Sequence, residues 1–352
     1  MQKHSDCRLY VGSYTSADKP EGIYLLALDP RRGLCSAVQA NAETENPSYL
    51  LLDGRRLFAA NERSDCACLS AFAVEEDGSV KLAGTYCAEG AGTCQVTLDP
   101  TGAFVYGANY ESGSIAGCSV LPDGSLGAGI SPIAHEGSSA DPERQENPHV
   151  HMVGFTPESS SLIAVDLGID ELVAYTVEED GELRENPERV LPVFAGEGPR
   201  MVAYHPALPL AALITELGNH VIVYRLGETG LASWEPLAAY LLVASGYAGE
   251  ALAAHVQFSP DGRYLYASVR GPNEVCVFSV AESGALELRG AFPSGGSWPR
   301  HMELSPDGTM LAVANERSDE VVVFGIDRDS GALSSEVARC GVSSPTCVVW
   351  QR

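Results

Sequence analysis

Seven glycines, all but the first following an acidic or small residue, punctuate this chain at Gly33, Gly78, Gly124, Gly181, Gly230, Gly284 and Gly331. Their spacings are 45, 46, 57, 49, 54 and 47 residues. Each sits between a run rich in β-branched and aromatic residues and a shorter, weaker run. Asp-Gly and Ser-Gly supply the positive φ that tight hairpins need, so a period near 50 residues predicts seven repeated β units. A second turn marks each unit, clearest in Ser259-Pro260-Asp261-Gly262 and Ser305-Pro306-Asp307-Gly308, with looser copies at Asp99-Pro100-Thr101-Gly102 and His205-Pro206. Proline presets φ at the second turn position and glycine accepts the last.

Strand copies flank these turns. Ala254 to Phe258 precedes one and Tyr264 to Ser268 follows it, while Val275 to Phe278, Val321 to Phe324 and Val221 to Tyr224 read as buried third strands. The unit is therefore a four-stranded antiparallel sheet. The chain begins with a second-strand copy, Arg8 to Gly12, and ends with a first-strand copy, Pro345 to Val349. One blade is thus split between the termini, and pairing them closes the ring without an exposed sheet edge. The expectation is an all-β, seven-bladed β-propeller forming a single domain over 1–352.

Charge narrows the range of partners. Asp and Glu outnumber Lys and Arg by 47 to 22, a net charge of -25, so the overall field repels a polyanion such as nucleic acid. Clustered arginines then become informative, because an acidic protein that handles a small anion needs a local cationic pocket. Met1 to Tyr14 holds no apolar stretch of signal-peptide length, and no run of about 18 apolar residues occurs, which predicts a cytoplasmic protein that does not enter membranes. None of the ten cysteines shows Cys-x-x-Cys spacing, so reduced and mostly buried thiols are expected.

Blade geometry predicts where chemistry sits. The tight turns fill one face, whereas the starts of first strands and the ends of second strands share the other. The two longest repeats place their extra residues on that second face, at Ser138 to Pro148 and Ser245 to Ala254. The same mouth collects His149, His151, Arg200, His255 and Arg300 near first-strand starts, and Asn109, Asp166, Glu216, Arg270 and Glu316 at second-strand ends. His149 and His151, two apart on a strand, point to one side. Each residue also has a plain structural role open to it: a hydrogen-bonded core histidine, an inter-blade ion pair, or a carboxylate satisfying backbone groups, the last favoured for Glu316. Two histidines and two carboxylates could ligate a divalent ion, but the arginines oppose a cation and no ligand spacing is diagnostic, so neither metal nor cofactor is expected.

The motifs Asn147-Pro148-His149-Val150-His151, Val165-Asp166-Leu167-Gly168, Gly198-Pro199-Arg200, Thr215-Glu216-Leu217, Arg270-Gly271 and Trp298-Pro299-Arg300, with the stretch Ser259 to Ser268, run through the whole chain. In these the sequence resembles the lactonase-type seven-bladed propellers, a family that includes cycloisomerase-type 6-phosphogluconolactonases and fungal carboxymuconate cyclases. The resemblance implies an active site of His149 or His151, Arg200, Glu216 and Arg270, with Asp166, His255, Arg300 and Asn109 as substrate-binding candidates. Val269 and Pro272 stand where the family usually has asparagine and histidine, and Gln95 replaces a frequent histidine.

The implied activity is hydrolysis of a small anionic sugar lactone, foremost 6-phosphogluconolactone to 6-phosphogluconate. Glu216 or a histidine would activate water as general base, and Arg200 and Arg270 would stabilise the oxyanion or hold the anionic group. Two other readings use the same frame: a carboxy-cis,cis-muconate cyclase, and a non-catalytic binding platform bearing an exposed apolar patch. A monomer or weak homodimer is expected.

Overall fold

The computed structural model describes residues 7–157 and 161–351; the remainder of the span expected as one domain, residues 1–6, 158–160 and 352, lies outside the described residues. Seven antiparallel sheets follow one another around a ring, six of four strands and one of five. Blade 1 orders Pro345–Trp350, Cys7–Ser13, Ile23–Asp29 and Leu34–Asn41 from the axis outward. The termini therefore pair as expected, with Leu9 opposite Trp350 and Val11 opposite Val348. Blades 2 to 7 begin at the axis with Pro47–Asp53, Thr93–Leu98, Val150–Phe155, Pro199–Tyr204, Leu252–Phe258 and Pro299–Leu304. In blade 3 the outermost strand is broken into Leu126–Gly129 and Ile133–Ala134, both paired to the third strand.

Burial decides which strands carry a strong sequence signal. Second strands such as Ser161–Asp166 are buried at every position, because each is sandwiched between two strands and two neighbouring blades. Outermost strands such as Val80–Ala88 alternate between half-buried and exposed residues, which is why they look weak in the sequence. Apolar residues of adjacent blades merge into shared clusters; one spans Ile163, Leu213 and Leu265 from three consecutive blades. No helix among the described residues is long and apolar enough to cross a membrane.

All seven punctuating glycines lie in the turn between third and fourth strands, with φ between 66° at Gly33 and 89° at Gly284. These turns also tie blades together. Tyr10, Tyr106 and Tyr266, on second strands, donate their hydroxyls to the carbonyls of Gly78, Gly181 and Gly331 in the following blade, at 2.7, 2.9 and 2.9 Å. Buried tyrosine hydroxyls need such partners, and the hairpin glycine provides one at a fixed height.

A second repeated device acts at the axis. Every innermost strand is bulged near its start: the register slips between Pro47 and Tyr49, Thr93 and Gln95, Val150 and Met152, Pro199 and Met201, Ala253 and Val256, and Pro299 and His301. The last innermost strand skips Thr346 in the same way. A bulge leaves one residue unpaired and re-aims its side chain. Ser48, Cys94, His151, Arg200, Arg300 and Thr346, the skipped residues of six blades, accordingly line one central cavity.

Two substitutions separate the conformational and packing roles of the hairpin glycines. A Cβ at Gly230 meets nothing within 4 Å, so Gly230→Ala bears only the positive-φ penalty of about 1 kcal/mol. A Cβ at Gly181 falls 2.3 Å from the Phe104 ring, so Gly181→Ala should cost about 2–4 kcal/mol in urea unfolding. Equal losses would show that packing against the neighbouring blade contributes nothing.

Candidate active site

The bulge at Pro199 sends Arg200 into the channel, where its Nε donates to Glu216 Oε2 at 2.9 Å and its Nη1 donates to the Ala254 carbonyl. Glu216 follows the second strand of the same blade. Arg270, from the end of the next blade's second strand, places Nη2 at 2.7 Å from the same Oε2; that nitrogen also donates to the Ala253 carbonyl, and Nε donates to the Leu252 carbonyl. The second oxygen, Oε1, accepts from Arg144 Nη2 at 2.6 Å. Glu216 is only 3 % exposed, yet its charge is compensated by three guanidiniums. Burial alone would raise its pKa; Arg270, Arg200, His151 and Arg144 overcome that and hold the carboxyl well below its ordinary range. Arg200 shows the reverse: burial first, then Arg270, lowers it to about 10, still cationic at neutral pH.

The histidine pair divides. His149 and His151 are both 7 % exposed. His149 stacks on Tyr110 with ring centroids 4.4 Å apart, and its Nδ1 donates to the Tyr110 carbonyl at 2.8 Å. Its Nε2 faces Glu146 at 3.8 Å. His151, the bulge residue, turns inward, and its Nδ1 is buried with no partner among the described residues. Burial, then Arg200, holds its pKa well below the usual histidine value, so the ring is neutral at physiological pH.

Arg144 and Tyr110 went unforeseen in the sequence. Arg144 lies in the long approach to blade 4 that the 57-residue repeat had located on this face, but an insertion has no periodic register to say which of its side chains turns inward. Its side chain is 35 % exposed, making it the outermost member of the cluster, and it also donates to the Tyr110 hydroxyl at 3.2 Å.

Four other expected contacts fall elsewhere. Asp166 is fully buried; it accepts from the backbone N–H groups of His149 and Gly168 at 2.7 and 2.9 Å and pairs with His135 at 2.7 Å. It sets the strand that carries the histidines and presents no free oxygen to a substrate. Asn109 is likewise buried, accepting from Thr93 Oγ1 at 2.7 Å and donating to Ser114 Oγ at 3.0 Å. Arg300 joins a separate cluster across the mouth, 3.6 Å from both Glu62 and Glu316 and stacked over Tyr14. Glu316 thus pairs with an arginine, in place of the backbone groups it was expected to satisfy. His255 lies deeper, its ring 4.0 Å from that of His301, and both line the cavity at the opposite opening with Gln257 and Glu303.

The insertions and the bulges therefore bring His149, His151, Arg200, Glu216 and Arg270 to one mouth. Counting Arg144, three guanidiniums face one carboxylate and two neutral or rim imidazoles, leaving surplus positive charge in an acidic protein. Such a site suits a small anion and the negative charge that develops on a carbonyl oxygen under attack.

Residues 8–350 match the family model described as "Lactonase, 7-bladed beta-propeller", and the chain belongs to that family of lactone-hydrolysing carboxylic ester hydrolases. It is 32 % identical over 344 residues to the 6-phosphogluconolactonase of Bacillus subtilis, covering 96 % of this chain and 97 % of that protein. Among solved structures, the periplasmic gluconolactonase of Pseudomonas aeruginosa superposes with a TM-score of 0.92 at 28 % identity, covering 99 % of both chains. A Bacteroides fragilis protein described provisionally as a 6-phosphogluconolactonase gives 0.91 at 29 % identity, covering 100 % of this chain and 99 % of that one.

The channel histidines make stability depend on pH. His151 and His255 are held well below the ordinary value, His255 by burial, His301 and Arg200; His301 is lowered to about 3 by burial and Arg200. Between those folded values and the unfolded value near 6.5, only the unfolded chain takes up the protons, so stability falls as pH drops below about 6.5. Each histidine contributes a slope of about 1.4 kcal/mol per pH unit. His301→Phe should flatten the urea-unfolding profile between pH 6.5 and 4; an unchanged slope would show that the ring is protonated in the folded state.

Proposed function

We propose that the chain hydrolyses the phosphorylated sugar lactone 6-phosphogluconolactone to 6-phosphogluconate. The observation that carries this reading is the convergence of Arg144, Arg200 and Arg270 on the single carboxylate of Glu216. The lactone carbonyl is held toward Arg200 and Arg270, and the phosphate is met by Arg144, the cation nearest solvent. Neutral His151 takes a proton from water as the water oxygen bonds to the lactone carbonyl carbon. The resulting oxyanion is stabilised by the two arginines. When the tetrahedral intermediate collapses, the carbon–ring-oxygen bond breaks and the imidazolium returns its proton to the departing oxygen. No metal is required for these steps.

Glu216 is better suited to organising the arginines than to acting as the base. A carboxylate that already accepts charge-assisted hydrogen bonds from Arg144 and Arg200 and pairs with Arg270 at 2.7 Å has little affinity left for a proton. The general-base role therefore passes to the histidine, one of the two options the residues left open. A reducing compartment, the cytoplasm, accords with ten cysteines of which six are buried thiols.

Purified enzyme assayed by trapping the product acid separates these roles. His151→Asn should lower kcat by about 10²–10⁴-fold with KM little changed, whereas His149→Asn should change kcat far less. Arg144→Ala should raise KM for 6-phosphogluconolactone about tenfold or more and leave KM for unphosphorylated gluconolactone unaffected. Wild-type kcat in the His151→Asn enzyme would reject the base assignment. Turnover of a carboxymuconate, with no turnover of either lactone, would instead assign the site to a cycloisomerase.

A further inference from the structure

Cys66, Cys68 and Cys87 are scattered in sequence but meet in space. Cys68 lies on the third strand of blade 2, Ala67–Val74, directly opposite Cys87 on the outermost strand, Val80–Ala88. Cys66 lies in the bend just before that strand, two residues from Cys68. The three sulfur atoms all lie within 4.8 Å of one another, and those of Cys68 and Cys87 are 2.8 Å apart. Cys68 is buried, Cys66 half-buried and Cys87 exposed, so the cluster opens to solvent on one side.

We propose that these three cysteines form a binding site for a soft divalent d¹⁰ cation, zinc, held by three thiolates with solvent in the fourth position. Zinc–thiolate bonds of about 2.3 Å in a tetrahedron set the sulfur atoms about 3.8 Å apart. One pair is 2.8 Å apart and no pair is farther apart than 4.8 Å, so small side-chain rotations bring the three sulfur atoms to that spacing. Thiolate ligands select zinc over hard cations such as magnesium or calcium. Arg63 lies beside the cluster, its guanidinium bonded to Asp65 at 2.9 and 2.7 Å and 3.6 Å from Glu45.

The location gives the site a purpose. An outermost strand is held to its blade on one side only and is the first part of a blade to fray. A metal bridging Cys66 and Cys68 to Cys87 would fasten that strand to the third. The third strand is in turn tied to blade 3, because the Cys68 N–H donates to Thr93 Oγ1 at 3.0 Å. The cation would stabilise blade 2 without entering the catalytic mouth, so this inference stands independently of the substrate assignment.

Full-length protein, reduced and stripped with a chelator, should take up one zinc ion per chain in native mass spectrometry. Cobalt(II) in its place should give the intense thiolate charge-transfer and tetrahedral d–d bands of sulfur coordination. Zinc should raise the melting temperature of the stripped protein by several degrees. Cys87→Ser, an exposed position that tolerates the change, should lose the stoichiometric zinc, the cobalt bands and the thermal shift while keeping wild-type lactonase kcat/KM. Failure of the reduced wild-type chain to bind zinc, or binding that persists unchanged in Cys87→Ser, would overturn the proposal. So would isolation of a Cys68–Cys87 disulfide that forms as readily with zinc present as without it.

Discussion

A buried carboxylate shared by three guanidiniums is the interaction on which the mouth of this propeller depends. Taking Glu216, Arg200 and Arg270 out of water costs several kcal/mol for each, and only close pairing with satisfied hydrogen bonds offsets the cost. Glu216 meets that condition with both oxygens engaged; Arg200 donates further to a backbone carbonyl of the next blade, and Arg270 to two carbonyls of its own blade. Removing the carboxylate would leave three cations repelling one another in a confined space. Its low pKa is thus a consequence of the same pairing that fixes the arginines at the mouth.

Ring geometry makes this convergence inexpensive in chain length. The bulges turn one side chain toward the central cavity in six of the seven blades, and in six blades the residue at or just past the second strand stands at the rim: Tyr14, Glu62, Tyr110, Glu216, Arg270 and Glu316. These side chains sort into two clusters. One, around Glu216, carries surplus positive charge; the other, around Arg300, is compensated by Glu62 and Glu316. The asymmetry of an otherwise repeated scaffold is what gives the mouth one half with surplus positive charge and one half that is compensated.

The fold was legible because its signals are local. Hairpin glycines with positive φ and buried β-branched strands declare themselves one unit at a time, and the split blade followed from which strand copy stood at each terminus. The site was legible where it used the repeat, as at Arg200, Glu216, Arg270 and the histidine strand. Asp166 and Asn109 sat at the right topological position but served the backbone and neighbouring side chains, a difference that depends on hydrogen-bond partners rather than on position. Arg144 came from an insertion with no register, and the Cys66, Cys68 and Cys87 cluster depended on strand pairing that no linear spacing records. His255 was misplaced because the slip from Ala253 to Val256 skips two residues, and its ring ends beside His301 in the lower channel.

The central claim is that catalysis occurs on the Glu216 side of the upper mouth, and a crystal structure of the complex with 6-phosphogluconate tests it most directly. The product carboxylate should lie within hydrogen-bond distance of Arg200 or Arg270, with the phosphate on Arg144 and His151 facing the carboxylate carbon. Product bound instead at the opposite opening, among His255, His301 and Glu303, would contradict the account.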